Sequence, residues 1–221
     1  MKKSVLSLLL ISAFLISAYG QKKVRPYRCG LVTKDLEANY NSFWKHVNVK
    51  KGERIASVGC CNGYIEAQIA AFNDSIEWTL QEIDTACLNK TNWSKVLMHH
   101  EKLKGKSIVG TFTLLKGDES KTNLSQNYYD RILLFNVYHE LSSQESILVD
   151  IKGALNNKGQ LVIMERMARK KNAKRKDCGH VMPWEPDFYS QMTQLGFSIV
   201  QKDIAYEESL LTFYTFEKNT K

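Results

Sequence analysis

From residue 34 onward the apolar positions change rhythm at regular intervals. Leu36, Tyr40, Phe43, Trp44 and Val47 recur at helical spacing and predict an amphipathic helix over Lys34–Val47. Lys51-Gly52 then punctuates the chain, and Arg54–Val58 is a short strand of the buried type. The same exchange of periods predicts a helix over Gly63–Phe72, a strand over Ile76–Ile83, a long helix running to Lys104 and a strand over Ile108–Leu115. Asp130–Phe135 is the next strand, followed by a helix over Gln144–Leu155, a turn at Asn156–Gly159 and a strand over Leu161–Met164. A helix over Glu185–Leu195 ends at Gly196, and strands near Ser198–Ile204 and Leu210–Phe216 finish the chain. Strands apolar on both faces, most of them followed by helices, require a parallel sheet covered on two sides. Right-handed crossovers then build a three-layer α/β domain. Ala205–Ser209 is too short for a crossover, so the last strand is expected to run antiparallel in an otherwise parallel sheet of seven strands.

The first twenty residues follow a different pattern. Lys2 and Lys3 precede an uncharged, mostly apolar run from Val5 to Ala18, and Ala18-Tyr19-Gly20 places small residues before Gln21. That order predicts a secretory signal peptide over 1–20, with a mature chain beginning at Gln21. The run falls short of the roughly 20 residues a spanning helix needs, so an uncleaved membrane anchor is the secondary reading. A secreted or periplasmic protein is expected, with 21–50 as an N-terminal helical cap and 51–221 as the main domain. Composition adds that the 221 residues are 43% apolar and 24% charged, which excludes collagen-like, coiled-coil and wholly disordered chains. The net charge is +8. The five cysteines, Cys29, Cys60, Cys61, Cys87 and Cys178, are odd in number and lack any C-x-x-C spacing, so no zinc ribbon is expected and at least one thiol is left over.

In such a sheet, ligands bind beyond the carboxyl ends of the strands. The first strand runs out into Ser57-Val58-Gly59-Cys60-Cys61-Asn62-Gly63, where glycines let a backbone approach a ligand and a helix start offers N–H donors. Glu82, nineteen residues past Gly63, closes the second strand where a carboxylate accepts hydrogen bonds from ribose hydroxyls. A nucleoside-type ligand is the expectation.

Over about residues 50–217 these elements resemble the class I S-adenosylmethionine-dependent methyltransferases. Lys51–Ile55 through Gly63-Tyr64 is similar to the family's first motif, Glu82-Ile83-Asp84 to its second, and Lys116-Gly117-Asp118 to the segment whose Asp meets the adenine amino group. Tyr129–Leu141 resembles the fourth-strand segment that closes over the cofactor, and Asn157–Glu165 the turn and fifth strand. The resemblance implies a three-layer Rossmann-like methyltransferase fold that binds S-adenosyl-L-methionine through Ser57, Gly59, Cys61, Gly63, Glu82, Ile83, Asp118 and Asn136. Two positions depart from the pattern. Ser57 stands where the family usually has an acidic residue, and Cys61 where it often has glycine. A missing charge-assisted bond to the cofactor's ammonium costs about 1.5–3 kcal/mol, so Ser57→Asp is expected to raise affinity.

Other residues are weighed against simpler roles. His99 and His100 read as a solvated pair, without a third metal ligand nearby. His139-Glu140 falls at the rim where this family places a methyl acceptor, as a general base or as helix-start packing. The basic loop Lys170–Lys176 has no interleaved aromatics and reads as solvated, so nucleic acid is not an expected partner. Cys178-Gly179-His180 and Trp184 follow it, in a region of substrate contacts or core. Asn73, Asn89, Asn92 and Asn123 each open an N-x-S/T sequon, which matters only in a cell that glycosylates. The leading reading is methyl transfer to a small-molecule or protein acceptor outside the cytoplasm. The alternatives are a catalytically inactive methyltransferase-like module that only binds a ligand, and an NAD(P)-dependent oxidoreductase, which the absence of G-x-G-x-x-G disfavours. No catalytic residue and no metal site is assigned.

Overall fold

The computed structural model describes residues 35–208 and 210–219. The predicted leader, the start at Gln21, Cys29 and the first residue of the first predicted helix lie outside the described residues. A seven-stranded sheet runs in the order β3-β2-β1-β4-β5-β7-β6. Its strands are β1 Arg54–Val58, β2 Ile76–Glu82, β3 Gly110–Lys116, β4 Tyr129–Phe135, β5 Leu155–Arg166, β6 Phe197–Tyr206 and β7 Leu211–Lys218. Pairings from β3 through β5 are parallel, and β7 inserts antiparallel between β5 and β6. The expected single antiparallel strand is therefore present, and the short connection after Tyr206 makes the β6–β7 hairpin.

Strand alternation divides the core into two layers. Ile55, Trp78, Leu80, Leu133 and Val162 face one side, covered by α1 Leu36–Ser42, the 3-10 helix Trp44–Val47, α2 Tyr64–Ala70 and α3 Lys90–Lys104. Ala56, Val58, Ile132, Leu134, Leu161 and Ile163 face the other, under α4 Gln144–Ala154 and α5 Glu185–Gln194. The first predicted helix thus breaks at Phe43, whose φ of −132° and ψ of −62° leave the helical region. Beyond the break, Trp44 is buried against Phe43, Phe135 and Phe213, and its indole N–H donates to Gln68 Oε1 at 2.6 Å. Leu36, Phe43, Trp44 and Val47 of this segment therefore pack into the main core.

Two further expectations change. The predicted turn at Asn156–Gly159 lies inside β5, as an irregularity in its pairing with β4 between Tyr129 and Arg131. His100 is fully buried rather than solvated: its Nδ1 lies 2.8 Å from the Val96 carbonyl, and its ring packs edge-on against Tyr64 at 4.5 Å. Its partner in sequence, His99, stays exposed. Among the described residues no helix is long and apolar enough to cross a membrane.

Candidate active site

Four parallel strands end on one edge of the sheet, and the predicted ligand-binding residues sit at those ends. Ser57 is the penultimate residue of β1, and the turn that follows alternates into the left-handed region at Gly59 (φ 70°), Cys61 (φ 53°) and Gly63 (φ 79°). Gly59 meets that geometry without strain, and a Cβ there would overlap the Val137 side chain. At Gly63 a Cβ would stand 2.7 Å from Trp93, so this glycine also brings α3 close to the turn. Cys61 accepts a left-handed conformation that a side chain disfavours, and its sulfur is disulfide-bonded. Cys60, Cys87 and Cys178 are free thiols; burial pushes Cys60 well above the ordinary thiol range and raises Cys87 to about 11. Neither is a reactive thiolate at neutral pH.

The turn is fixed to β2 by its own amides. The Gly59 and Cys60 N–H groups donate to the Gln81 carbonyl at 2.9 and 3.1 Å, and Gly59 also reaches Gln81 Oε1 at 3.2 Å. The Cys61 N–H donates to Glu82 Oε2 at 2.8 Å, while Glu82 Oε1 accepts from the Ile83 and Asp84 amides at 2.8 and 3.2 Å. The Glu82 carboxylate is thereby oriented at the sheet edge, with lone pairs remaining for hydroxyl donors. Beside it Ile83 is 49% exposed and leaves an apolar surface next to the carboxylate. Asp118 follows β3 in a tight loop, its Oδ1 accepting from the Ser120 amide and hydroxyl and from the Lys121 amide at 2.7–3.0 Å. Those bonds, the Ser120 amide first, hold its carboxyl below the usual range. Asn136 leaves β4 at φ 57°, its amide bonded to the Met164 carbonyl at 2.7 Å.

Beneath the turn lies a residue that the sequence motifs do not single out. Glu66, in the first turn of α2, is buried, and Ser57 Oγ donates to its Oε1 at 2.6 Å. Burial pushes its carboxyl up to about 7, against the opposing pull of the Ser57 bond. Its only signal in the sequence is position: the one acidic residue of a mostly apolar helix, three places after Gly63.

The far side of the edge carries a charged cluster. His139 and Glu165 are both fully buried, with Nδ1 to Oε2 at 2.8 Å. Burial opposes a charge on His139, but the Glu140 and Glu165 carboxylates outweigh it and raise the imidazole to about 10. Those two carboxylates favour the protonated form of the ring. Arg175, from the basic loop, is the exception to that loop's solvation: its side chain is 9% exposed, and Nη1 donates to Asn136 Oδ1 at 2.5 Å. Arg175 also pairs with Asp177 at 2.6 Å and lies 3.8 Å from Glu165. His139, Glu140 and Cys178 bring possible metal-ligand atoms within 4.8 Å of one another. Arg175 Nη1 stands 3.3 Å from His139 Nε2, so the cluster already holds a positive charge where a dication would have to sit. Trp184, half-buried at the start of α5, lines a small cavity of about 270 Å³ with Tyr138, Lys171 and Met182. A larger polar cavity of about 530 Å³ lies at the opposite, amino ends of the strands, around Glu53, Asp130 and Arg131. Those three charged groups are consumed in ion pairs, Arg131 with Glu53 at 3.1 Å and Arg54 with Asp130 at 3.2 Å.

By sequence, the chain matches no protein-family profile and no curated protein. Its fold has many counterparts among solved structures. A methyltransferase of the S-adenosylmethionine-dependent type from Methanosarcina mazei is 14% identical with a TM-score of 0.63, covering 81% of this chain and 98% of its own. The glycopeptide N-methyltransferase MtfA, solved with sinefungin, is 13% identical with a TM-score of 0.60, covering 86% and 89%. The cyclase SpnF is 14% identical with a TM-score of 0.62, covering 83% and 82%. Sheet order, the inserted antiparallel β7 and these likenesses agree: the chain has the fold of the class I S-adenosylmethionine-dependent methyltransferases.

Proposed function

We propose that this chain binds S-adenosyl-L-methionine at the carboxyl ends of β1–β4 and transfers its methyl group to a small-molecule or protein acceptor after export. One observation carries the reading: the Cys61 amide ties the glycine turn to the Glu82 carboxylate at 2.8 Å, joining a close-approach backbone and a hydroxyl acceptor in one preformed site. The residues fit the cofactor. Glu82 accepts the ribose hydroxyls, Ile83 packs against the base, Asp118 accepts from its amino group, and the Gly59–Gly63 turn faces the amino-acid end. When bound, the cofactor supplies an electrophilic methyl on a sulfonium, so the protein's task is positioning and exclusion of water. Asn136, held by Arg175, and the His139–Glu165 pair border the acceptor side. Export rests on the leader pattern at residues 1–20.

SpnF shows that one fold hosts different reactions, so the reaction needs its own test. Calorimetry of the mature chain is expected to show binding of S-adenosylhomocysteine and none of NAD. Glu82→Ala is expected to weaken that binding roughly ten- to a hundredfold, the worth of bonds to a charged acceptor. Transfer of a radiolabelled methyl group separates a working enzyme from a module that only binds. Binding of NAD in place of S-adenosylhomocysteine overturns the proposal.

A further inference from the structure

We infer that Glu66 is the anion that receives the cationic ammonium of a ligand seated on the Gly59–Gly63 turn. The inference rests on the cofactor reading above and specifies which side chain recognises the amino-acid end. Glu66 is 1% exposed, and only one of its carboxyl oxygens is used: Oε1 accepts from Ser57 at the end of β1, while Oε2 has no partner. A buried carboxylate with an unmade bond is costly unless a cation or donor completes it. Among the described residues no Lys, Arg or His forms an ion pair with it, and the one charged group that acts on its carboxyl, Glu82, is itself an anion. Glu66 sits in the first turn of α2, three residues after Gly63, and is bonded to Ser57 at the carboxyl end of β1, so a ligand seated on the turn can supply the missing counter-charge. A primary ammonium has the required charge and donors, and S-adenosylmethionine and S-adenosylhomocysteine both carry one at the end opposite the base. Ser57 then has a defined role: its hydroxyl proton is donated to Glu66 Oε1 and orients the carboxyl that meets the ammonium. Glu66 is a binding residue for the ammonium, and Ser57 a positioning residue for Glu66.

The test compares two ligands on the full chain. S-Adenosylhomocysteine has the ammonium, and methylthioadenosine keeps the nucleoside and thioether but lacks the amino-acid end. Glu66→Gln preserves shape and removes the charge, and is expected to weaken S-adenosylhomocysteine at least tenfold while leaving methylthioadenosine within about twofold of wild type. The double variant Ser57→Asp/Glu66→Gln returns a carboxylate from the strand side and is expected to recover part of the loss. Equal weakening of both ligands, or of neither, overturns the inference, because Glu66 then only supports the turn or is satisfied by an internal water. If Glu66→Gln fails to fold, wild type alone decides. Near pH 7, S-adenosylhomocysteine is expected to release protons as Glu66 ionises against the ammonium, read from calorimetry in buffers of different ionisation enthalpy. Absence of that release overturns the inference. Wild type that binds neither ligand instead overturns the cofactor reading itself.

Discussion

At the scale of single residues, buried ionisable groups decide how this protein responds to pH. Glu66 ordinarily titrates near 4.5 and is raised to about 7 in the fold by burial. A raised acid adds stability that is fully present below the unfolded value and is lost as pH rises through the folded one. Wild type is therefore expected to lose about 3 kcal/mol between pH 4 and pH 8 relative to Glu66→Gln, since a tenfold difference in proton affinity between the folded and unfolded chain is worth about 1.4 kcal/mol. Urea unfolding of both proteins at several pH values checks this, and parallel curves would contradict it. The same residue bears on the Ser57→Asp substitution. Ser57→Asp alone would set a second carboxylate against Glu66, and one of the pair would stay protonated. The single substitution is thus expected to weaken the fold at neutral pH rather than simply strengthen cofactor binding. His139 is raised from 6.5 to about 10 against the cost of burial, so its stabilising charge is complete below pH 6.5 and lost as pH climbs through about 10. NMR titration should find its ring protonated at pH 8, and Glu165→Gln should bring its titration down toward the ordinary range.

At the scale of elements, the glycine turn and the N-terminal helices hold the site in place. Gly59→Ala adds a methyl group at φ 70° into the space of Val137, on the segment after β4. It is expected to destabilise the protein by about 1–3 kcal/mol. Pairing it with Val137→Ala should relieve the overlap and leave only the backbone strain, a coupling that a double-mutant cycle by thermal unfolding reads directly. Trp44 is 1% exposed and joins α1 to β4 and β7 through three aromatic neighbours. Trp44→Ala is expected to cost about 3–5 kcal/mol. Chemical denaturation checks this, and a small effect would mean that residues 35–50 pack only loosely on the sheet.

At the scale of the whole molecule, sheet order and compartment are separate questions. The order β3-β2-β1-β4-β5-β7-β6 gathers the ends of β1–β4 on one edge, with the His139–Arg175 cluster where β4 and β5 end. Compartment rests on the leader alone. Amino-terminal sequencing of protein recovered outside the cytoplasm is expected to read from Gln21, and an intact Met1 confined to the cytoplasm would refute export.

The alternation of periods by itself indicated the α/β class, the seven strands and the antiparallel hairpin, because strand-length runs bounded by turn residues exchange with longer stretches of helical period. It also placed Gly59, Gly63 and Glu82 at strand ends, since those positions follow from where each run stops. Boundaries shifted where tertiary contacts outweighed local preference: the first helix breaks so that Trp44 can reach Gln68, and the Asn156–Gly159 turn is absorbed into β5. The partners of charged groups were beyond the sequence. Glu66 meets Ser57 across nine positions, Arg175 meets Asn136 across thirty-nine, and His139 meets Glu165 across twenty-six. Periodicity reports which face of an element is buried, but a charge acquires its protonation state from neighbours that only the packed fold brings within hydrogen-bonding distance.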